Sequence, residues 1–406
     1  MKPCVPPDGR GVTGMKKITV ITHSSTYESR AEAAGEFFRS RGYEVTCIFS
    51  DFDHLRKKTR KREEPGHVYV HMTPYTVNLS PKRLFSIRRF ALDVKKEIVG
   101  RIRTGERPDL IYCMIPANTL AQMMAELHAE YGIPVLFDII DLWPESLPLK
   151  QIASLPPVRH WRELRDKNLS CADMIFTECG LYREELGLPE EKSRTLYWFK
   201  DMSPVSGNAE HIPEAPEKVM TAGNPDAGVM EIAYMGAINN IIDMDTITSL
   251  LSCAGRLRPL HLRVIGEGDH REDFLGALNR AGVPFTWYGA VYDEDEKRRL
   301  LAPCSFGLNI MKESVHVGLT MKSIDYLSFG LPLINSIGGD TRTLVEKERI
   351  GINVNRSDLH ETAEEMCRMA DDGGAEARTQ DVFSRYFTRD SFNRTLEEAL
   401  CRVDGL

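Results

Sequence analysis

The residues most able to do chemistry lie between Gly318 and Ser336, GLTMKSIDYLSFGLPLINS. The run reads as a loop, a short helix and a buried strand. Thr320 is placed to cap the helix with its hydroxyl. Gly330 closes it and Pro332 keeps it from continuing. Lys322 and Asp325 are three apart and share a helix face. A helix N-terminus offers free N–H groups and a partial positive charge, which suits phosphate. A carboxylate one turn further in can accept hydrogen bonds from ribose hydroxyls. Together they suit a nucleoside diphosphate.

A second group of chemical residues lies in Asp138–Ser146, DIIDLWPES. Asp141 ends a strand, Trp143 and Pro144 stiffen the turn, and Glu145 supplies a second carboxylate. Acidic groups there could orient or deprotonate a hydroxyl, or stabilise an oxocarbenium-like transition state. A third candidate is the polar loop His23–Arg30, in which Ser24, Ser25 and Arg30 could touch a phosphate or an acceptor. In that loop, capping of the next helix is an equal alternative. Asp51-Phe52-Asp53 and Asp243-Met244-Asp245 stand in no convincing metal-binding context, so no divalent metal requirement is expected.

These residues must be positioned by a regular scaffold, and the sequence provides one. The chain has 406 residues, 42% hydrophobic and 27% charged, enough for two domains of ordinary composition. Strands are expected at 17–22, 44–50, 68–72, 109–114, 134–140, 173–177 and 194–198. Helices are expected at 30–41, 82–103 and 118–131. After residues 203–230, rich in Pro, Gly, Ala and Glu, the alternation restarts: strands at 231–235, 262–265, 285–288 and 306–310, helices at 246–256, 274–281 and 294–301. Strands alternating with helices argue for α/β architecture with parallel sheets, and open α/β sheets bind ligands at the carboxyl ends of their strands. The expected organisation is a flexible leader at 1–14, one α/β domain at 15–202, a linker at 203–230, a second α/β domain at 231–382 and a helical segment at 383–406.

Charge and cysteine content narrow the function classes. The net charge of −7 divides into +5 for residues 1–200 and −12 for the rest. The positive charge is concentrated in Arg56–Arg62, RKKTRKR, and in Lys82–Arg103. In the latter, Leu84, Ile87, Phe90, Val94 and Ile98 recur at helical spacing between basic residues. A basic helix face of this kind is either plainly solvated or lies against anionic lipid headgroups. No nucleic-acid module is recognisable, and nucleic acid is not expected as a partner. No run of eighteen apolar residues occurs, and the N-terminus lacks a signal-peptide core, so a cytoplasmic location is expected. Nine cysteines are scattered singly without a Cys-x-x-Cys pair, which argues for reduced thiols and against a zinc site.

The segment around Lys322 resembles the donor-binding motif of family 4 glycosyltransferases of the GT-B fold. The family pattern Pro-x-Lys-x-x-Glu-Tyr with Gly-x-Pro reads here as Met321-Lys322-Ser323-Ile324-Asp325-Tyr326 and Gly330-Leu331-Pro332. Of the family's two glutamates eight apart, Asp325 takes the second place and Val317 the first. Tyr234-Met235-Gly236, Gly266-Glu267-Gly268-Asp269 and Trp287-Tyr288-Gly289-Ala290-Val291 are similar to the family's successive donor-site turns. Asp138–Ser146 is similar to the Asp-x-x-Asp-Leu-Trp-Pro-Glu-Ser signature of bacterial capsular and exopolysaccharide enzymes. Two departures stand out: Ile140 replaces a common His, and no Arg/Lys pair follows Gly236.

The resemblance implies two Rossmann-like, doubly wound domains facing a central cleft, with 15–202 on the acceptor side, 231–382 holding the nucleotide sugar and a helix within 383–406 crossing back to the first domain. It implies transfer, with retention, of a sugar from a nucleoside-diphosphate sugar, a substrate rather than a cofactor, to a saccharide or lipid-linked acceptor in cell-surface polysaccharide synthesis. It implies donor contacts from Gly236, Gly266, Gly268, Val291, Leu319, Thr320, Lys322 and Asp325, with Asp141 and Glu145 near the chemistry. Peripheral contact with the inner face of the membrane fits the basic segments. Two other classes remain: a GT-B nucleotide-sugar epimerase, marked by a product of unchanged donor mass, and a non-catalytic partner subunit, marked by failure to bind nucleotide.

Overall fold

The computed structural model describes residues 15–78, 80–147, 154–201 and 228–403. The expected leader 1–14 and nearly all of the expected linker 203–230 lie outside the described residues. The chain divides into two units. One holds the described residues up to Leu196 together with those from Asn393 onward, and the other is Tyr197–Phe392.

The first unit is built on β1 (Lys17–Thr22), α1 (Glu28–Ser40), β2 (Glu44–Ser50), the small antiparallel pair β3 (Phe52–Asp53) and β4 (Lys58–Thr59), β5 (His67–Val70), α2 (Pro81–Arg103), β6 (Leu110–Ile115), α3 (Asn118–Tyr131), β7 (Val135–Ile139), α4 (Pro156–Asp166), β8 (Met174–Thr177), α5 (Gly180–Glu185) and β9 (Ser193–Thr195). Its parallel sheet has the order β5-β2-β1-β6-β7-β8-β9. Strands β6 and β7 are buried along their whole length, as expected when helices cover both faces.

The second unit contains β10 (Met230–Met235), α6 (Met244–Leu257), β11 (Leu260–Ile265), α7 (Arg271–Arg280), β12 (Phe285–Gly289), α8 (Glu294–Leu301), β13 (Phe306–Asn309), α9 (Met321–Ser328), β14 (Leu333–Asn335), α10 (Gly339–Glu348), β15 (Gly351–Asn353), α11 (Leu359–Ala370), α12 (Ala375–Tyr386) and the start of α13 (Arg389–Leu400). Its sheet runs β12-β11-β10-β13-β14-β15, all parallel. Ile232, Tyr234, Leu250, Leu262, Phe285 and Leu308 are among its core residues. Both sheets are Rossmann-like. Their strand order reverses between β1 and β6 and between β10 and β13, the places where such sheets bind ligands.

Three expectations need revision. The single terminal helix is two, α12 and α13. Phe387 is buried between them, and Thr388 and Ser391 exchange side chain-to-backbone hydrogen bonds (3.1 and 3.2 Å) that start α13 anew. Leu84 is not a core residue of α2 but 45% exposed beside Phe85, at 64%. The structure adds helices α4, α5, α10 and α11 and strands β3, β4 and β15 to the expected elements.

Candidate functional site

In the second unit, the polar groups converge on the switch point between β10 and β13. Thr320 caps α9, accepting from the Ser323 amide at 3.1 Å. The amides of Met321 and Lys322 have no acceptor inside the helix, and none is present among the described residues, so they can face a ligand. Tyr326 anchors the helix. Its hydroxyl accepts from the Met235 amide at 2.6 Å, and its ring fills the space above Gly307, where a Cβ would meet it at 2.4 Å. Asn309 ties the same turn to the sheet through Ser323 and Asn335, both at 3.0 Å.

Lys322 is the notable group. Its ammonium lies 4.1 Å from the centre of the Tyr234 ring, and its Cε comes within 3.1 Å of where a Cβ on Gly236 would be. Among the described residues, no carboxylate pairs with it. Burial draws its pKa down to about 7. This lone cation stands at Gly236, where the resemblance leads one to expect an Arg/Lys pair.

The glycines have a definite geometric task. A Cβ on Gly266 would fall 2.0 Å from the Gly236 carbonyl oxygen, and one on Gly268 would fall 2.1 Å from that of Ile238. The turns after β10 and β11 are thus packed backbone to backbone, with Gly236 at φ 128°. Ile238 N–H donates to Glu267 and Gly266 N–H to Gly289, at 2.9 and 2.7 Å. Leu319 is buried under the α9 turn, and Val291 is half-buried after β12. Asp325 accepts from Lys200 at 2.9 Å, and Lys200 also pairs with Glu294 at 2.9 Å and sits over the Phe329 ring. Lys200 lies far from Asp325 in sequence, and no motif announced it.

In the first unit, the expected catalytic carboxylates are engaged within the fold. Asp141 accepts from Trp143 Nε1 at 2.6 Å and Ser146 Oγ at 2.5 Å. Burial raises its pKa against those hydrogen bonds. Glu145 is bound by Arg162 at 2.6 Å and by both terminal nitrogens of the buried Arg165 at 3.1 Å. It fastens α4 to the loop. Arg30 is fully buried, gripping Asp138 at 2.7 and 2.9 Å and the Leu196 carbonyl at 2.7 Å. It is therefore not a phosphate-loop cation. Ser24 caps the following turn, and Ser25 exchanges hydrogen bonds with His54.

The groups that remain open come from elsewhere. Neither ring nitrogen of His23, nor Nε2 of His54, nor the Tyr75 hydroxyl, nor Nε of Arg83, nor Oδ1 of Asn118 makes a well-formed hydrogen bond among the described residues. His23 follows β1 and Asn118 opens α3 after β6, so these two flank the switch point of the sheet. His23 stands edge-on to His54 (5.5 Å) and Trp143 (6.0 Å), and the Arg83 guanidinium lies 4.4 Å from the Trp143 ring centre. Burial and the Arg83 charge push both imidazoles down, His54 to about 4, so they stay neutral. His54 Nδ1 accepts from Ser25, which leaves the ring proton on Nε2. Neutral donors, an indole face and a guanidinium suit a saccharide with an anionic substituent nearby. Buried polar groups so concentrated and so poorly paired are uncommon unless a ligand or water completes them.

Residues 230–372 match the family model described as Glycosyl transferases group 1. No curated protein matches the chain. Among solved structures, the chain is similar to a sucrose-phosphate synthase from Thermosynechococcus elongatus, with a TM-score of 0.66 at 14% identity over 95% of this chain and 98% of that one. It is similar to the lipopolysaccharide outer core galactosyltransferase WaaB, with a TM-score of 0.63 at 13% identity over 95% and 99%. Anabaena HepE in complex with UDP gives 0.61 at 13% identity over 95% and 100%. At these identities the likeness establishes the fold, which is GT-B, and the family match over the second unit supports a glycosyltransferase.

Proposed function

We propose that this protein transfers a sugar, with retention and without a divalent metal, from a nucleoside-diphosphate sugar to a saccharide or lipid-linked acceptor in cell-surface polysaccharide synthesis. The observation that carries the reading is Lys322: a cation without a carboxylate partner among the described residues, beside free helix amides and packed glycine turns. An unpaired ammonium in a desolvated setting is costly unless an anion arrives. A leaving diphosphate develops negative charge in the transition state, and Lys322 with the Met321 and Lys322 amides would stabilise it. Asp325, held by Lys200, offers its other oxygen to the ribose. HepE, a neighbour in fold, has been solved with UDP and with UDP-glucose, which supports a donor of this class.

The acceptor reading rests on the open polar groups of the first unit. His23, His54, Tyr75 and Arg83 would hold hydroxyls and charge, and Trp143 would stack on a sugar ring. Asp141 positions Trp143 through its indole N–H. Membrane contact is supported by exposed Val77, Leu84 and Phe85 beside Lys82 and Arg88. Among the described residues, no helix is long and apolar enough to cross a membrane. The basic run at 56–62 is partly neutralised, since Arg60 and Arg62 both pair with Glu28.

The test is a thermal-shift panel of UDP, GDP, ADP, CMP and dTDP. A ligand at one hundred times its Kd stabilises by about 2.7 kcal/mol. A selective shift that weakens in Asp325→Ala, followed by transfer of the sugar, supports the proposal. No shift with any nucleotide sinks it in favour of a non-catalytic subunit. A product of unchanged donor mass would indicate an epimerase. Flotation with anionic vesicles, reduced by salt, tests the membrane contact.

A further inference from the structure

We propose that Glu32, Cys47 and His67 form a binding site for a borderline-soft divalent cation of the zinc type, outside the transfer site, that ties the edge strand of the first sheet to α1. The three donor atoms lie within 4.8 Å of one another. Cys47 and His67 are directly paired across the parallel strands β2 and β5, so their side chains leave the same face of the sheet. Helix α1 packs on that face and brings Glu32 over them. Gly35, one turn further along α1, also faces the pair: a Cβ there would lie in ordinary contact, 3.7 Å from Cys47 Sγ.

The second layer of contacts is that of a ligating histidine. His67 Nδ1 sits 3.1 Å from the Pro65 carbonyl and Nε2 2.5 Å from Glu32, so both ring nitrogens face acceptors and a metal would take the place of the proton on Nε2. Ligating histidines characteristically give their other N–H to a carbonyl or carboxylate. The ring is held in place by Phe49 (5.4 Å) and Tyr69 (6.1 Å). A thiolate, an imidazole and a carboxylate suit Zn2+ and disfavour Mg2+. Tetrahedral coordination needs donor separations of about 3.3–3.8 Å, so His67 and Glu32 would open from their 2.5 Å contact while the wider separations, within 4.8 Å, close by up to about 1 Å. The Arg39 guanidinium, 3.8 Å from Cys47 Sγ and 4.0 Å from Glu32, already leans toward these groups and would withdraw as the metal supplies positive charge. His67 also lines a groove of about 510 Å3 with Arg62, Glu64 and Tyr69, so one of the three donors meets a solvent-facing space.

Strand β5 is an edge strand of four residues, and a metal fastening it to α1 would protect that edge. The test uses the full chain, stripped with a chelator and titrated with Zn2+ by calorimetry and with Co2+ by absorption. One equivalent should bind, with a sulfur-to-cobalt charge-transfer band and the strong d–d bands of four-coordinate cobalt. Cys47→Ser should lose the charge-transfer band, and His67→Ala should weaken binding at least tenfold. Glu32→Gln, at a partly exposed position that leaves the fold intact, should weaken it about tenfold. Nucleotide binding should be unchanged in all three. Absence of stoichiometric binding, a cobalt spectrum without the charge-transfer band, or binding that survives Cys47→Ser overturns the proposal without touching the transferase reading.

Discussion

The two units share one strand order, with a seventh strand added at the edge in the first unit, and present opposite kinds of site. In the second unit, the chemical groups sit in one contiguous run, Gly318 to Ser336, and the fold leaves them open: a cation without a carboxylate, free amides, glycine turns packed out of the way. In the first unit, the contiguous run Asp138–Ser146 looks equally chemical, yet its carboxylates are bound by Trp143, Ser146, Arg162 and Arg165. The open groups there are His23, His54, Tyr75 and Arg83, spread over sixty residues of sequence. A charged group in a motif is open to a ligand only as far as the fold leaves its atoms unengaged, as with Lys322 and the second oxygen of Asp325, and this contrast can be broken or sharpened experimentally.

The largest effect should come from Gly266→Ala. Its Cβ would fall on the Gly236 carbonyl at φ 158°, so we expect a loss of about 4 kcal/mol in denaturant unfolding together with nucleotide binding. Near-normal stability would mean the two turns are not packed as described. Lys322→Met should weaken nucleotide binding about a hundredfold while raising the melting temperature by about 2–4 °C. The gain should be greatest below pH 7. The folded state holds this proton less tightly than the unfolded chain, so the cost of burying the ammonium is full there and fades as pH rises toward the ordinary lysine value. Calorimetry and thermal melts across pH check both effects.

Glu145→Gln should cost about 2 kcal/mol, because Arg165 is left buried with less compensation, while nucleotide affinity stays unchanged. Unchanged stability with lost turnover would instead return Glu145 to the chemistry. For the wild type, nucleotide affinity should fall by about tenfold per pH unit above pH 7, as binding must then return a proton to Lys322. Lys322→Arg, always charged, should bind with a flat pH profile. A wild-type profile equally flat would show that Lys322 is already charged when free. The smallest effect belongs to Tyr75→Phe. Stability should hold or rise by up to about 1 kcal/mol, since a poorly paired hydroxyl is removed. The acceptor KM should rise without change in donor binding. Unaltered acceptor kinetics would take Tyr75 out of the site.

Much of the scaffold was legible beforehand. The run at Glu44–Ser50 is strand β2 to the residue, the helix at 118–131 is α3, and Thr320 does cap α9. Local periodicity, caps and glycine stops set these, because each depends on residues within a turn or two. The sequence also determined that Lys322 and Asp325 share one helix face. It did not determine their surroundings. Lys200 on Asp325, Asp138 on Arg30, Arg165 on Glu145 and the Cys47–His67 pairing join residues 20 to 125 positions apart. Such partners are chosen by sheet order and helix packing, and no pattern within a short window encodes them. Tertiary structure therefore decided which charged groups are neutralised inside the fold and which stay open to a ligand, since pairing and desolvation depend on distance in space alone.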